Sequence, residues 1–273
     1  MSRAVPNANA LHCRDLIRKT DADRLLLAEL APAGRRPALW ALAAFNWEVA
    51  RIPERVSEPM LGMIRRQWWR DAWVEIADGR PRRHPVAEAL ADAHAATPFD
   101  LAAIERLLDA REKEQDGPPA DLTDLVARAE ATGGGLARLE ATALGLANPS
   151  AGAPAGTAWA LIGGLRGLPQ SLAAGRHQLP EDLLARHDIR LDRLQPEALA
   201  EGFPHLIETI AGAADLEPAP GNGRMPALFR GYARLVRLYR NRLARAGWNP
   251  FDSRINAPTA GRALAVLGVR LGL

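Results

Sequence analysis

Acids recur four residues apart at Glu54 and Glu58, at Asp71 and Glu75, and at Asp188 and Asp192. Carboxylates at that spacing share one helix face, and two of them make a compact clamp for a hard divalent cation such as Mg²⁺. Each pair meets an obstacle in its own sequence. Glu54 to Glu58 runs up to Pro59, and the residue before a proline is steered out of the helical region. Asp71 and Glu75, flanked by Arg70 and Trp73, read as a solvated helix face, and Ile189 and Leu191 give the third pair the look of a turn or cap. Gly133-Gly134-Gly135 could cradle a phosphate, yet no Lys-Ser/Thr follows and no strand precedes it, so close helix packing is favoured, as it is for Gly163-Gly164. Cys13, the single cysteine, follows His12 without partner cysteines at zinc spacing. It reads as a buried structural thiol in a reducing compartment. Trp40, Trp47, Trp68, Trp69 and Trp73 could line a hydrocarbon tunnel. Trp69 and Trp73 share a helical face, which favours core filling.

The elements that must carry these residues read as helix after helix, with no useful run of period-two alternation. A first helix is expected from Asn9 to Leu30 and a second from Arg35, with Pro37 in its first turn. A third runs from Met60 to Asp78, with Ile64, Trp68 and Ala72 at four-residue steps, and Gly79-Arg80-Pro81 ends it. Asp100 caps Leu101 to Glu114, and Asp121 opens a long segment to Leu146. Gly156 to Ala173, a helix opened by Pro196, Pro226 to Ala246 and Thr259 to Leu271 follow, with 218–223 as a flexible connector. The chain has 273 residues, 48% of them hydrophobic but only 5% aromatic, so alanine and leucine must fill much of the core.

Two stretches resemble the signatures of the squalene/phytoene synthase family. Ala44 to Glu54 is similar to its Ala-Phe-Cys-Arg-x-x-Asp-Asp-x-x-Asp-like stretch, and Gly156 to Pro180 to its second signature. Gly156, Ala158, Arg166, Gly175, Arg176, Leu179 and Pro180 match that second pattern. Where the resemblance implies Mg²⁺-binding acids, this chain has Ala50 and Glu54 in the first clamp, with Arg51 beside them, and Gly167 and Ser171 in the second. Ala160, Gly163 and Gln178 replace the family's Gln, Asn and Tyr. One branch of the family, a mitochondrial complex I assembly factor and its bacterial relatives, resembles the chain in segments that are not those of the synthases. The similar stretches are 45–50, 56–59, 64–70, 82–87, 109–113 and 247–252.

The resemblance implies an all-α, single-domain isoprenoid synthase-type helical bundle over residues 1–273, and the charge pattern marks a basic helical region at 224–273. The resemblance also implies a non-catalytic assembly or scaffold protein for respiratory complex I, with complex I subunits or assembly intermediates as partners. No catalytic residue, cofactor or metal ligand is expected. Glu54, Arg166 and Arg176 are expected as remnants of a diphosphate pocket. Alternatives from other classes are an active head-to-head prenyl transferase using Mg²⁺ on displaced acids (Glu54, Glu58, Asp71), or a carrier of an apolar prenyl or quinone ligand.

Charge is uneven. Residues 224–273 hold ten arginines against Asp252, a net of +9, so the overall +3 leaves residues 1–223 at −6. On a helix from Pro226, Arg230, Arg234, Arg237 and Arg245 recur near helical spacing beside Leu228, Tyr232, Leu235 and Tyr239. A solvated face and an anionic membrane surface are both open readings of that pattern, whereas nucleic acid is not expected without a recognition motif. The uncharged span 141–165 is interrupted by Asn148, Pro149, Gly152 and Pro154, and 1–10 lacks the pattern of a signal peptide. A cytoplasmic protein, peripheral on the inner face of the membrane, is the expectation.

Overall fold

A computed structural model of the chain describes residues 6–55, 58–196, 199–214, 225–258 and 260–270. Helix α1 (Ala8–Thr20) starts where the Asn7 side chain accepts a hydrogen bond from the Ala10 amide. It stops ten residues short of the expected end. Asp21, at φ −148° and ψ 72°, leaves the helical region and caps α2 (Ala22–Ala28) by accepting from the Arg24 amide. An aspartate is a better N-cap than helix interior, so it divides the run.

Helix α3 (Arg36–Ala50) is apolar nearly all round and buries Leu39 through Phe45. It ends at Ala50, and Glu54 belongs to the separate turn α4 (Ile52–Arg55). The clamp frame from Ala44 to Glu54, expected on one helix, is thus split between two. Helix α5 (Pro59–Ala77) follows, then α6 (Pro85–Ala96) in a stretch where the sequence reading places no helix. Proline in the first turn opens both. On α5 the core face is Trp69, Ala72, Trp73 and Ile76, whereas Ile64 is 57% exposed. The four-step pattern of Ile64, Trp68 and Ala72 therefore does not mark the buried side. Trp69 and Trp73 pack edge-on against Phe45, with ring centroids 4.9 and 5.6 Å away.

Asp100 caps α7 (Leu101–Lys113) and Asp121 caps α8 (Leu122–Ala129), as expected. A π-helical turn, Glu130–Gly134, joins α8 to α9 (Gly135–Ala143). This turn packs on α10 (Ala153–Ala173), which lies at the centre of the bundle against α9, α12 (Phe203–Gly212) and α13 (Ala227–Arg245). The short helix α11 (Glu181–Arg186) follows α10, its first two amides donating to the Pro119 and Ala120 carbonyls. Pro196 sits in a turn and opens no helix; α12 begins at Phe203, with Pro204 in its first turn. The expected connector at 218–223 lies outside the described residues, as do Val56, Ser57, Arg224 and Thr259.

Helix α13 puts Leu228, Tyr232, Leu235 and Tyr239 into the core. Helix α14 (Ala260–Arg270) covers α13 and touches α2. Arg230 and Arg234 are half-buried beneath it, and Arg237 and Arg245 are exposed. The described residues contain no strand, and buried side chains from every long helix form one continuous core. Among them no helix is long and apolar enough to cross a membrane.

Candidate functional site

Between α3–α4, α8, the π turn and α10 lies a cavity of about 800 Å³. Its size falls in the range of small-molecule sites. Helix α10 leaves room for it through small residues. Ala160, Gly163, Gly164 and Ser171 lie on the wall, and a β-carbon at Gly163 or Gly164 would meet no atom within 4 Å. Trp159, Leu161, Leu165 and Leu168 supply apolar surface from the same helix, with Leu125, Ala129 and Ile210 adding more.

One end of α10 is built to turn sharply. Gly175 takes φ +69°, which suits a residue without a β-carbon. Its amide donates to the Leu172 carbonyl and the Arg176 amide to the Ser171 carbonyl, both at 2.9 Å. That paired pattern closes the helix end and sets Arg176 on the cavity wall.

Glu54 is also on the wall. Its carboxylate lies 2.5 Å from Arg51 Nε and 3.8 Å from Arg176 Nη2. Ala50, Glu58 and Ser171 line the cavity as well, but Gly167 does not. Glu58 precedes α5 in an extended conformation, so Glu54 and Glu58 do not share a helix face. Asp71 is away from the wall, bound to Gln67 at 2.7 Å and to Arg82 at 3.5 Å. Asp188 adopts a left-handed turn at φ 48°. Among the described residues no three His, Cys, Asp or Glu side chains come together as a metal site. A diphosphate-bridging Mg²⁺ cluster needs several carboxylates from facing helices. The clamp positions supply Glu54 alone, already engaged by two arginines, so the donor set does not fit the metal.

Arg166 sits elsewhere. Its guanidinium lies 3.5 Å from the Tyr239 ring centroid and 3.3 Å from Asp23 Oδ2, and its Nε donates to Asn256 at 3.0 Å. Asp23 is 4% exposed and also takes the Tyr239 hydroxyl at 2.6 Å and approaches Arg262 at 3.4 Å. Arg166 neutralises that buried acid between α2, α10, α13 and α14, which removes it from the cavity mouth. Of the three sequence-derived remnants, the structure brings Glu54 and Arg176 together and holds Arg166 apart.

The inner wall contains charges that the sequence reading missed. Arg24 and Asp21 line the cavity. Arg24 Nη1 donates to Tyr232 Oη at 2.5 Å and to Glu140 at 3.1 Å, while its Nε lies 3.2 Å from Asp21. The Tyr232 hydroxyl donates to Glu140 at 2.9 Å. Burial pushes the Glu140 carboxyl up from the ordinary range, against the pull of Arg24 and Tyr232. Burial likewise holds the Tyr232 phenol protonated. The Asp21-to-Arg24 spacing was available in sequence, but Glu140 and Tyr232 stand 116 and 208 residues from Arg24.

Arg111 and Arg128 also reach the wall with partners of their own. Arg111 grips both Glu114 oxygens at 3.0 and 2.9 Å and donates to Asn46 at 2.9 Å. Arg128 grips Asp124 at 3.1 and 2.9 Å and donates to the Gly117 carbonyl at 2.7 Å. Burial lowers the His177 pKa, and its Nδ1 accepts from the Leu179 amide. The cavity thus has apolar sides and a charged lining whose cations are largely satisfied by internal acids.

The model of the squalene/phytoene synthase family matches residues 17–260. NADH dehydrogenase (ubiquinone) complex I, assembly factor 6, of Mus musculus is 31% identical over 76% of this chain and 63% of its own length. The Drosophila melanogaster homolog of that factor is 27% identical over 76% of this chain and 65% of its own. The chain therefore spans less than two thirds of these relatives. Among solved structures, a dehydrosqualene synthase in complex with ligand superposes with a TM-score of 0.80 at 16% identity, covering 97% of this chain and 96% of the other. Squalene synthase HpnC from Alicyclobacillus acidocaldarius gives a TM-score of 0.65 at 18% identity, over 97% and 94% of the two chains. At these identities the two synthases establish the fold alone.

Proposed function

The chain belongs to the squalene/phytoene synthase family, and from that premise we propose that it is a non-catalytic member, an assembly or scaffold factor for respiratory complex I. The observation that carries the proposal is the cavity wall itself. Ala50 and Ser171 offer no carboxylate where the family's clamps stand, and Glu54 is held by Arg51 and Arg176. Ionising a prenyl diphosphate needs metal-bound phosphate oxygens, and these residues give that step no electrostatic support. The named relatives supply the pathway: they are complex I assembly factors, and their likeness runs over three quarters of this chain. Its partners are then complex I subunits or assembly intermediates, met in the cytoplasm and on the inner face of the membrane without any Mg²⁺ cofactor.

Deleting the gene in its host and resolving membrane complexes on native gels tests this. The expected result is loss of assembled complex I and of NADH–quinone activity, restored by the wild-type chain and by Glu54→Gln. An intact complex in the deletion strain defeats the assembly role. Mg²⁺-dependent pyrophosphate release from farnesyl diphosphate, above a no-protein control, defeats the non-catalytic one. The open, partly apolar cavity favours a second role beside the first, holding a prenyl or quinone-like molecule.

A further inference from the structure

The first two turns of α5 present their apolar side chains outward. Met60 is 63% exposed, Leu61 44%, Met63 50% and Ile64 57%. At 100° per residue these four fall on one face, while Gly62, Arg66 and Trp69 on the opposite face are buried. The patch is bounded. Toward the C-terminus it meets Gln67 hydrogen-bonded to Asp71, and on its N-terminal side Pro53, Glu54 and Glu58 form part of the cavity wall. An apolar patch beside the opening of a ligand-sized cavity marks an interaction surface.

The surrounding charge selects the partner. Arg55 and Arg65 are exposed; both act on the half-buried Glu48, whose pKa burial raises and these arginines pull back, and Arg55 lies 4.5 Å over the half-buried Trp47 ring. Arg51 stacks on the same ring at 5.5 Å and neutralises Glu54. Methionine, leucine and isoleucine flanked by exposed arginines and an amphipathic ring fit the acyl and headgroup layers of an anionic bilayer. The expected basic face of α13 is less suited. Arg230 donates to the Val269 carbonyl, Arg242 donates to the Ile255 and Ala257 carbonyls, and the apolar strip of α13 faces inward.

We propose that the start of α5, with Arg55 and Arg65, docks on an anionic lipid surface and sets the cavity mouth against it. This deepens the membrane part of the proposed function by naming the contact, and it does not depend on the complex I role. In that orientation a molecule dissolved in the bilayer reaches the cavity without crossing water.

The test is co-sedimentation of the full chain with phosphatidylcholine vesicles, with and without phosphatidylglycerol, at low and high salt. Binding is expected only with phosphatidylglycerol and weaker in high salt. Met60→Ser/Ile64→Ser and Arg55→Gln/Arg65→Gln should each weaken it roughly tenfold. Arg237→Gln/Arg245→Gln on α13 and Leu264→Ser/Leu267→Ser on α14 should leave it unchanged. All these sites are exposed, so circular dichroism melts should match wild type. Failure of wild type to bind anionic vesicles overturns membrane attachment altogether. Binding lost only in the α13 or α14 variants overturns the α5 assignment and leaves attachment standing. Self-association of the wild type that the α5 substitutions abolish, without vesicle binding, makes the patch a protein interface and overturns the proposal.

Discussion

Gly133 in the π turn and Gly156 in α10 approach so closely that a β-carbon on either would collide with the other's carbonyl oxygen. The contact fixes how α10 crosses the α8–α9 run, and through it where the cavity wall stands. Gly133→Ala or Gly156→Ala must push two backbones apart, at a cost of about 1–3 kcal/mol. Gly164→Ala enters open space in the middle of α10 and should stabilise by about 0.5–1 kcal/mol. Opposite shifts of the melting midpoint are the expected pair of results. A neutral Gly133→Ala would mean that the helices do not meet there.

The packing role of the triple glycine was legible, because a phosphate loop needs neighbours that the sequence lacks. Helix identity was legible for similar reasons, since Asp100 and Asp121 are caps that act on their own backbone. Boundaries were harder. Asp21 interrupts a run whose hydrophobic pattern is continuous, and local periodicity cannot weigh a cap against a helix interior. Glu54 and Arg176 were found because they sit in family signatures. Arg166 sits in one too, yet its place is set by Asp23, Tyr239 and Asn256, which are remote in sequence. The outward face of α5 escaped notice because Ile64 follows the helical period as faithfully on the solvent side as on the core side.

The Arg24–Glu140–Tyr232 cluster predicts unequal losses. Tyr232→Phe removes one hydroxyl that bridges the other two and should cost about 1–3 kcal/mol. Arg24→Met strands a buried carboxylate and should cost about 3–5 kcal/mol, much of it recovered in Arg24→Met/Glu140→Leu. Burial already raises the Glu140 pKa, so its stability contribution is fullest below the unfolded carboxyl value and falls as pH rises through the folded one. The Arg24→Met defect should therefore be milder near pH 5 than near pH 8. Denaturant titrations at the two pH values decide it, and equal defects would show Glu140 staying charged throughout.

Cys13 is fully buried, and burial, with Glu48 nearby, pushes its thiol up to about 12. The native thiol should resist iodoacetamide at about pH 8 and react at once after unfolding, because only the thiolate is nucleophilic. The folded pKa lies above the unfolded value of about 8.5. Its stabilising contribution is thus complete below that value and declines as pH rises toward 12. Rapid labelling of the folded chain would place Cys13 within reach of solvent.

The cavity clamp makes the last prediction. At the clamp positions wild type offers Mg²⁺ a single carboxylate, Glu54, held by Arg51 and Arg176, so millimolar Mg²⁺ with pyrophosphate should leave its melting midpoint unchanged. Ala50 and Ser171 both face the cavity, on opposite sides from α3 and α10. Ala50→Asp/Ser171→Asp therefore adds two carboxylates to Glu54 on the wall. In EDTA the added carboxylates repel one another and the variant should melt below wild type. Added Mg²⁺ should restore it, by about 1.4 kcal/mol when the free ion stands near tenfold above its dissociation constant. A metal-dependent rise in the wild type itself would reveal a cation site that Glu54 and its neighbours cannot account for, and the non-catalytic assignment would fall with it.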